Sequence, residues 1–143
     1  MIRRRQSGHA MIELAVSAAV MVTCIAGTFQ FGYTFYVYNQ LVTAVGNGGR
    51  YAAVRTRQPD IEKTNQAIRN MVVYGDPQPA ADARPVVIGL TPDLIDVNWT
   101  EESGAPSAVS IAIRDFSIDA VFSKFTFHNR PGVEFPYVGR PEK

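Results

Sequence analysis

The sequence predicts an α+β protein: a long N-terminal transmembrane helix, then a small extracytoplasmic domain with one helix packed on a three- or four-stranded antiparallel sheet. Three observations carry this reading. A run without a single charge extends from Leu14 to Gly49. A capped segment with apolar residues at helical spacing follows, from about Ile61 to Tyr74. The last third contains runs that alternate apolar and polar side chains, the period of a half-buried strand. With 143 residues, of which 46% are hydrophobic, the chain has the size of one modest domain and excludes a multidomain enzyme.

The first part of the charge-free run, LAVSAAVMVTCIAGTFQFGYTFY, is strongly apolar. As a helix it spans about 34 Å, enough to cross a hydrocarbon core of about 30 Å. Arg3, Arg4 and Arg5 precede it and no positive charge follows until Arg50. That asymmetry orients the N-terminus toward the cytoplasm and sends the remainder outward. Phe29, Phe31, Tyr33, Phe35, Tyr36 and Tyr38 crowd the far end, as in an interfacial aromatic belt or a packing face. Ala15, Ala18, Ala19, Ala26, Gly27 and Gly32 permit close helix approach or simply fill the span; their spacing is not GxxxG.

Val37 to Val54 can continue the same helix, because Leu41, Val45 and Ala52 share one face. Gly46, Gly48 and Gly49 each weaken a helix by up to about 1 kcal/mol relative to Ala, which predicts a bend or break there. They do not form a phosphate loop, since no strand precedes them and no Lys-Ser or Lys-Thr pair follows. Thr56 to Pro59 is a polar break. Asp60 then caps the second helix, with Ile61, Ile68, Met71 and Val72 on its apolar face and Gly75 as its stop. Asp76 to Arg84, rich in Pro, Ala and Asp, reads as a surface loop.

Ile95 to Thr100 and Ser107 to Asp115 alternate in period 2 and are joined through Glu102-Ser103-Gly104-Ala105-Pro106, which predicts a hairpin. Val133 to Val138 adds an edge strand, since Pro136 cannot donate to a central ladder. Ser117 to Phe127 is compatible with a short helix through Ile118, Val121, Phe122 and Phe125, or with a connecting segment. Trp99 is expected to anchor the small core. It lies within the glycosylation-like triplet Asn98-Trp99-Thr100, which a strand would conceal.

The residues offer no catalytic or metal site. Cys24 is the single cysteine, and with only His9 and His128 as imidazoles a structural zinc site lacks ligands. The neighbouring pairs Asp93 with Asp96 and Asp115 with Asp119 read as solvated turns or caps, and His128 beside Asn129 as a surface loop. From residue 50 onward eleven positive charges face twelve negative ones, so the body lacks the basic footprint of a nucleic-acid binder. The expectation is no enzyme, no cofactor and no small-molecule substrate.

The N-terminus itself must be weighed as a cleavage signal. The apolar run exceeds the roughly 7 to 15 residues of a secretory signal core. A lipoprotein signal is a poor fit to Met21-Val22-Thr23-Cys24, where a small residue should precede the cysteine, and Cys24 reads instead as a small apolar filler. Glu13 is the anomaly: it stands at the start of the apolar run, where a carboxylate is costly unless paired or neutral. Two readings apply. Either Glu13 sits among headgroups beside the arginines as a helix N-terminal acid, or a cut between Gly8 and His9 creates an α-amino group, with a reference pKa of about 7.7 to 8.0, to pair with it.

Arg3-Arg4-Arg5-Gln6-Ser7-Gly8, followed by His9-Ala10-Met11-Ile12-Glu13 and a long apolar helix, resembles the class III leader of type IV pilin precursors. The glycine precedes the cut and the glutamate is the fifth mature residue. The continuation Phe31-Gly32-Tyr33-Thr34-Phe35-Tyr36-Val37-Tyr38-Asn39-Gln40-Leu41, then Gly49-Arg50-Tyr51-Ala52-Ala53, resembles the TadE-like minor pilins, or pseudopilins, of the tight-adherence (Flp) pilus machinery. Ile68-Arg69-Asn70-Met71-Val72-Val73-Tyr74-Gly75-Asp76-Pro77 is similar to that family as well. The resemblance divides the chain into a basic leader (1–8), the transmembrane helix and its extension (9–55), and the outer α+β domain (56–143).

What the resemblance implies is processing by a membrane aspartic prepilin peptidase at Gly8 and His9, and a new N-terminus open to methylation. It further implies partnership with other pilins and with pilus assembly components, and support of pilus assembly and surface adhesion. The protein would reside in the cytoplasmic (inner) membrane, with membrane lipid around its helix, and could pass from there into a pilus. The major Flp pilins carry Glu-Tyr after the cut and are far shorter, whereas here Glu13 precedes Leu14 and an outer domain follows, so a minor subunit is the better match. The alternative is an uncleaved single-pass membrane protein whose outer domain binds an envelope partner.

Overall fold

The computed structural model describes residues 6–55, 60–102, 105–119 and 124–139. The leader arginines Arg3, Arg4 and Arg5, the break Thr56 to Pro59, and Val121 and Phe122 lie outside these. The first helix, α1, runs from Gln6 to Val54 without interruption. The bend expected at Gly46 to Gly49 is absent, and the reason is tertiary. A Cβ on Gly48 would overlap Val72 Cγ2, and one on Gly49 would come to 2.6 Å from Phe135 Cε2. Two of the three glycines are thus places where a second helix and a strand approach the α1 backbone, and the contacts hold the helix straight against its weak local propensity.

The second helix, α2, spans Ile61 to Tyr74. The Asp60 carboxylate accepts a hydrogen bond from the Lys63 backbone N–H, and the Lys63 ammonium, helped by that bond, holds the carboxylate's pKa below the usual value. Gly75, at φ 74°, donates to the Met71 carbonyl and ends the helix in the left-handed conformation. Ile68, Val72 and Val73 are buried and Met71 is half-buried, but Ile61 is exposed, because the cap turns the first residue away from the core.

The strands are β1 (Ile95–Glu102), β2 (Ala105–Ile113), β3 (Phe116–Asp119), β4 (Lys124–Phe127) and β5 (Gly132–Pro136). The main sheet has the order β1-β2-β5, antiparallel throughout, with Ile95 opposite Ile113, Val97 opposite Ile111 and Val133 opposite Ile111 on its other side. The hairpin and the edge strand therefore form as expected, but Glu102, Ala105 and Pro106 of the expected connection belong to the strands, and β5 ends at Pro136, short of Val138. Asp115 is not in the hairpin: at φ 44° it leaves the extended region after Ile113. The described residues of Ser117 to Phe127 are strand, neither helix nor plain connection. They contribute to β3 and β4, paired as a separate two-stranded sheet with Phe116 opposite Phe127. Phe116 and Ile118 are buried by tertiary contact, which a four-residue strand cannot signal by periodicity.

Two helices, rather than one, cover the main sheet. α1 lies against β2 and β5, and α2 lies against β1. Leu41, Val45 and Ala52 of α1 are fully buried with Ile68 and Val72 of α2 and Val109, Ile111 and Ile113 of β2. Trp99 is half-buried; its Nε1–H donates to Asn65 Oδ1 at 2.9 Å and its ring meets Tyr137 edge-on at 5.5 Å. The chain end closes the top of α1: the N–H groups of Val138 and Gly139 donate to the Ala53 carbonyl, and the Tyr137 hydroxyl to the Arg55 carbonyl. Carbonyls that a helix end leaves open are satisfied this way.

Candidate functional site

The candidate site is the N-terminal part of α1, from Gly8 to about Tyr36, exposed along most of its length with Gln30 covered. Among the described residues α1 is the one helix long and apolar enough to cross a membrane. Ten large apolar side chains between Met11 and Phe31 are exposed: Met11, Ile12, Leu14, Val16, Val20, Met21, Val22, Ile25, Phe29 and Phe31. They surround the helix instead of forming a stripe, which is the pattern of a helix meant for an apolar environment on every side. Burying a side chain of this kind is worth about 1.5–3 kcal/mol. Ten of them represent roughly 15–30 kcal/mol, more than the entire stability of a typical domain, so water is not their working environment.

The polar residues of this segment are already accommodated. Thr23, Thr28 and Thr34 each donate their hydroxyl to the carbonyl four residues earlier, on Ala19, Cys24 and Gln30, at 2.9 Å. In lipid that internal bond removes the cost of a bare hydroxyl. Sequence reasoning passed over these threonines, although Thr within an apolar helix is the signal that would have found them. Cys24 is a free thiol on the helix surface, as its reading as an apolar filler requires.

Gly8, His9 and Glu13 all lie in the first turns of α1 and are exposed. His9 and Glu13 stand four residues apart and so share one side of the helix. A Cβ on Gly8 would meet no atom within 4 Å among the described residues. Nothing in the packing of the chain requires glycine there, which sets Gly8 apart from Gly48 and Gly49. The leader arginines Arg3, Arg4 and Arg5 fall outside the described residues, so their distance from Glu13 is not part of this geometry.

The other residue groups considered in the sequence are dispersed over the outer domain. Asp93 belongs to a short 3-10 turn, and Asp96 accepts from Asn98 Nδ2 on the polar face of β1. Asp115 Oδ1 lies 2.6 Å from His128 Nδ1 at the open end of the β3–β4 pair, with both side chains largely in solvent. Asp119 at the other end faces Lys124. These are surface pairs that tie a hairpin together.

Residues 8–50 match the family model of the TadE-like proteins. The match begins at Gly8 and ends within the buried upper part of α1, so it covers the N-terminal part of the helix and its entry into the outer domain. No curated protein and no solved structure matches the chain.

Proposed function

We propose that this chain, whose N-terminal helix is TadE-like, is a minor pilin or pseudopilin of a tight-adherence type IV pilus. It is made with a basic leader, held in the cytoplasmic membrane by α1 with the leader inside and the sheet domain outside, and cut between Gly8 and His9 by prepilin peptidase. What supports the reading above all is that the TadE-like match starts at Gly8 and runs along a helix apolar on every side. The basic stretch before the helix also fits: ending in Gly8, it leaves the scissile bond at the mouth of the membrane.

The chemistry follows from the placement of Glu13. Cleavage converts the amide of His9 into an amine that is cationic near neutral pH. That amine can neutralise Glu13 within the chain or on an adjacent chain, so the helix end can leave the headgroup layer without carrying an unpaired charge into an apolar bundle. Assembly then replaces lipid around Met11 to Phe31 by neighbouring helices. Lipid tails and apolar side chains are equally nonpolar, so the exchange is governed by packing and by the charge pair rather than by hydrophobic burial.

The intact mass of the protein from native membranes tests cleavage directly. A chain beginning at His9 is expected. Retention of the leader in cells with active peptidase would establish the uncleaved membrane anchor instead, and a start at Cys24 a lipoprotein. Gly8→Leu is expected to abolish processing and piliation together, and normal processing of that variant would remove the cleavage site. Glu13→Ala is expected to leave cleavage intact and abolish assembly. Normal piliation in that variant would remove the amine–carboxylate pair.

A further inference from the structure

The loop that joins α2 to β1 contains an isoleucine whose exposure is enforced by its backbone. Val87 and Leu90 are buried on either side, the Leu90 N–H donates to the Val87 carbonyl at 3.1 Å, and Gly89 has φ 87°. With Gly89 alone at positive φ, this is a type II turn with Ile88 at its first corner. Val86 is pinned as well, its N–H donating to the Val73 carbonyl at 2.8 Å. Ile88 is 92% exposed at the tip, with Val86 half exposed beside it. A flexible loop could fold such a residue away; this one is anchored by two core residues.

The position of the tip along α1 gives its exposure a meaning. Val86 to Gly89 line a cleft of about 500 Å³ together with Tyr33, Tyr36 and Gln40 of α1 and Phe116 and Ile118 of β3. Counted from Leu14, where charge ceases, a hydrocarbon layer of about 30 Å at about 1.5 Å per residue ends near residue 33. A helix tilt of about 20° shifts that end by about one residue. Tyr33 and Tyr36 therefore mark the outer boundary of the bilayer, and the Ile88 tip lines the same cleft as those tyrosines, which continues up α1 to Gln40. Gln30, one turn lower, is only 6% exposed, so the folded part of the protein already reaches this level of the helix. The rim carboxylate Asp119 faces Lys124 at 3.8 Å, which offsets its charge toward an anionic surface.

We infer that the Val86–Ile88 turn is a second membrane contact: Ile88 enters the headgroup and acyl boundary of the outer leaflet beside Tyr33 and Tyr36 and sets the tilt of the outer domain on the bilayer. The occupant of this apolar tip is lipid. The inference rests on the membrane span of α1 proposed above. Val138 supplies the contrast, because it is 71% exposed but lies beside Ala53 at the opposite end of the helix. Seventeen residues separate Ala53 from Tyr36, which is about 26 Å along the axis.

The test uses the full chain in phosphatidylcholine–phosphatidylglycerol vesicles with an environment-sensitive NBD label at one cysteine and nitroxide-bearing lipids as quenchers. The label is placed at native Cys24, or, in a Cys24→Ala background, at Ile88→Cys or Val138→Cys. Both new sites are so exposed that the substitutions do not disturb the core. The expected result is a blue shift and loss of most emission at positions 24 and 88, with neither at 138. Quenching at 24 with position 88 as bright as position 138 would overturn the lipid contact while leaving the span intact. A label at 24 that escapes quenching would remove the span, and this inference with it. A signal at 88 that disappears as the protein is diluted in lipid would assign the tip to a second copy of the chain and likewise overturn the proposal.

Discussion

The lower and upper halves of α1 are one helix with two kinds of surface. From Gly8 to Tyr36 its large apolar side chains are exposed, although Gln30 lies on a covered face, whereas Val37, Leu41, Ala44, Val45, Ala52 and Ala53 are buried. Composition separates the halves poorly, because from Leu14 to Gly49 neither contains a charge. What distinguishes them is periodicity. The upper half buries most of its apolar residues on one face, leaving Val42 and Val54 exposed, and the lower half does not. The comparison teaches that an unbroken helix can couple a membrane span rigidly to a folded domain, so that any motion of the span is passed to the sheet.

The glycines repeat the comparison at the level of single atoms. Gly48 and Gly49 stand where Val72 and Phe135 meet the backbone, while Gly27, Gly32 and Gly46 have no atom within 4 Å of an added Cβ among the described residues. The first pair serves the fold of this chain. Gly27 and Gly32 leave a smooth surface on the N-terminal part of the helix, where any contact they make is with lipid or with another chain.

The largest expected effect that could break the comparison comes from truncating matched leucines. Leu41→Ala should destabilise the outer domain by about 2–5 kcal/mol, because it opens a cavity in the common core, whereas Leu14→Ala should leave that stability unchanged. Denaturant unfolding of the full chain in detergent micelles, followed through the single Trp99, measures both. A similar loss from Leu14→Ala would mean that the two halves are not energetically distinct. Gly48→Ala should cost about 1–3 kcal/mol, since the new methyl overlaps Val72 and β-branched Val72 cannot easily turn aside. Adding Val72→Ala should restore part of that loss, which sharpens the assignment to this one contact. At the small end, Gly46→Ala should stabilise the helix by up to about 1 kcal/mol, because it improves helix propensity without meeting a neighbour.

Much of the outer domain was legible because its signals are local. The Asp60 cap, the Gly75 stop and the helix between them need only neighbouring residues, and the alternation of Val109, Ile111 and Ile113 declares which face of β2 is buried. The seam of α1 was equally readable from Leu41, Val45 and Ala52. The β3–β4 pair was not, since two strands of four residues carry too few periods to separate a strand from a helix, and their burial depends on Tyr38 and the α1 face beside them. At the candidate site, the residue types around Gly8, His9 and Glu13 were visible at once. The internal hydrogen bonds of Thr23, Thr28 and Thr34 were not, as hydroxyl direction is a property of the formed helix.

By itself the sequence determined the charge-free span, its arginine-flanked start, the glutamate at its edge, and the capped helix and alternating strands that follow. Each of these is written in residue type and spacing, and the TadE-like match lies in that same stretch. Only the tertiary structure decided that Gly46 to Gly49 continue the helix, that α1 supplies half of the helical layer over the sheet, and that Ile88 shares a cleft with Tyr33 and Tyr36. Those outcomes depend on surfaces that meet across many residues. A local propensity of about 1 kcal/mol per glycine yields to them once Val72 and Phe135 pack against the helix backbone.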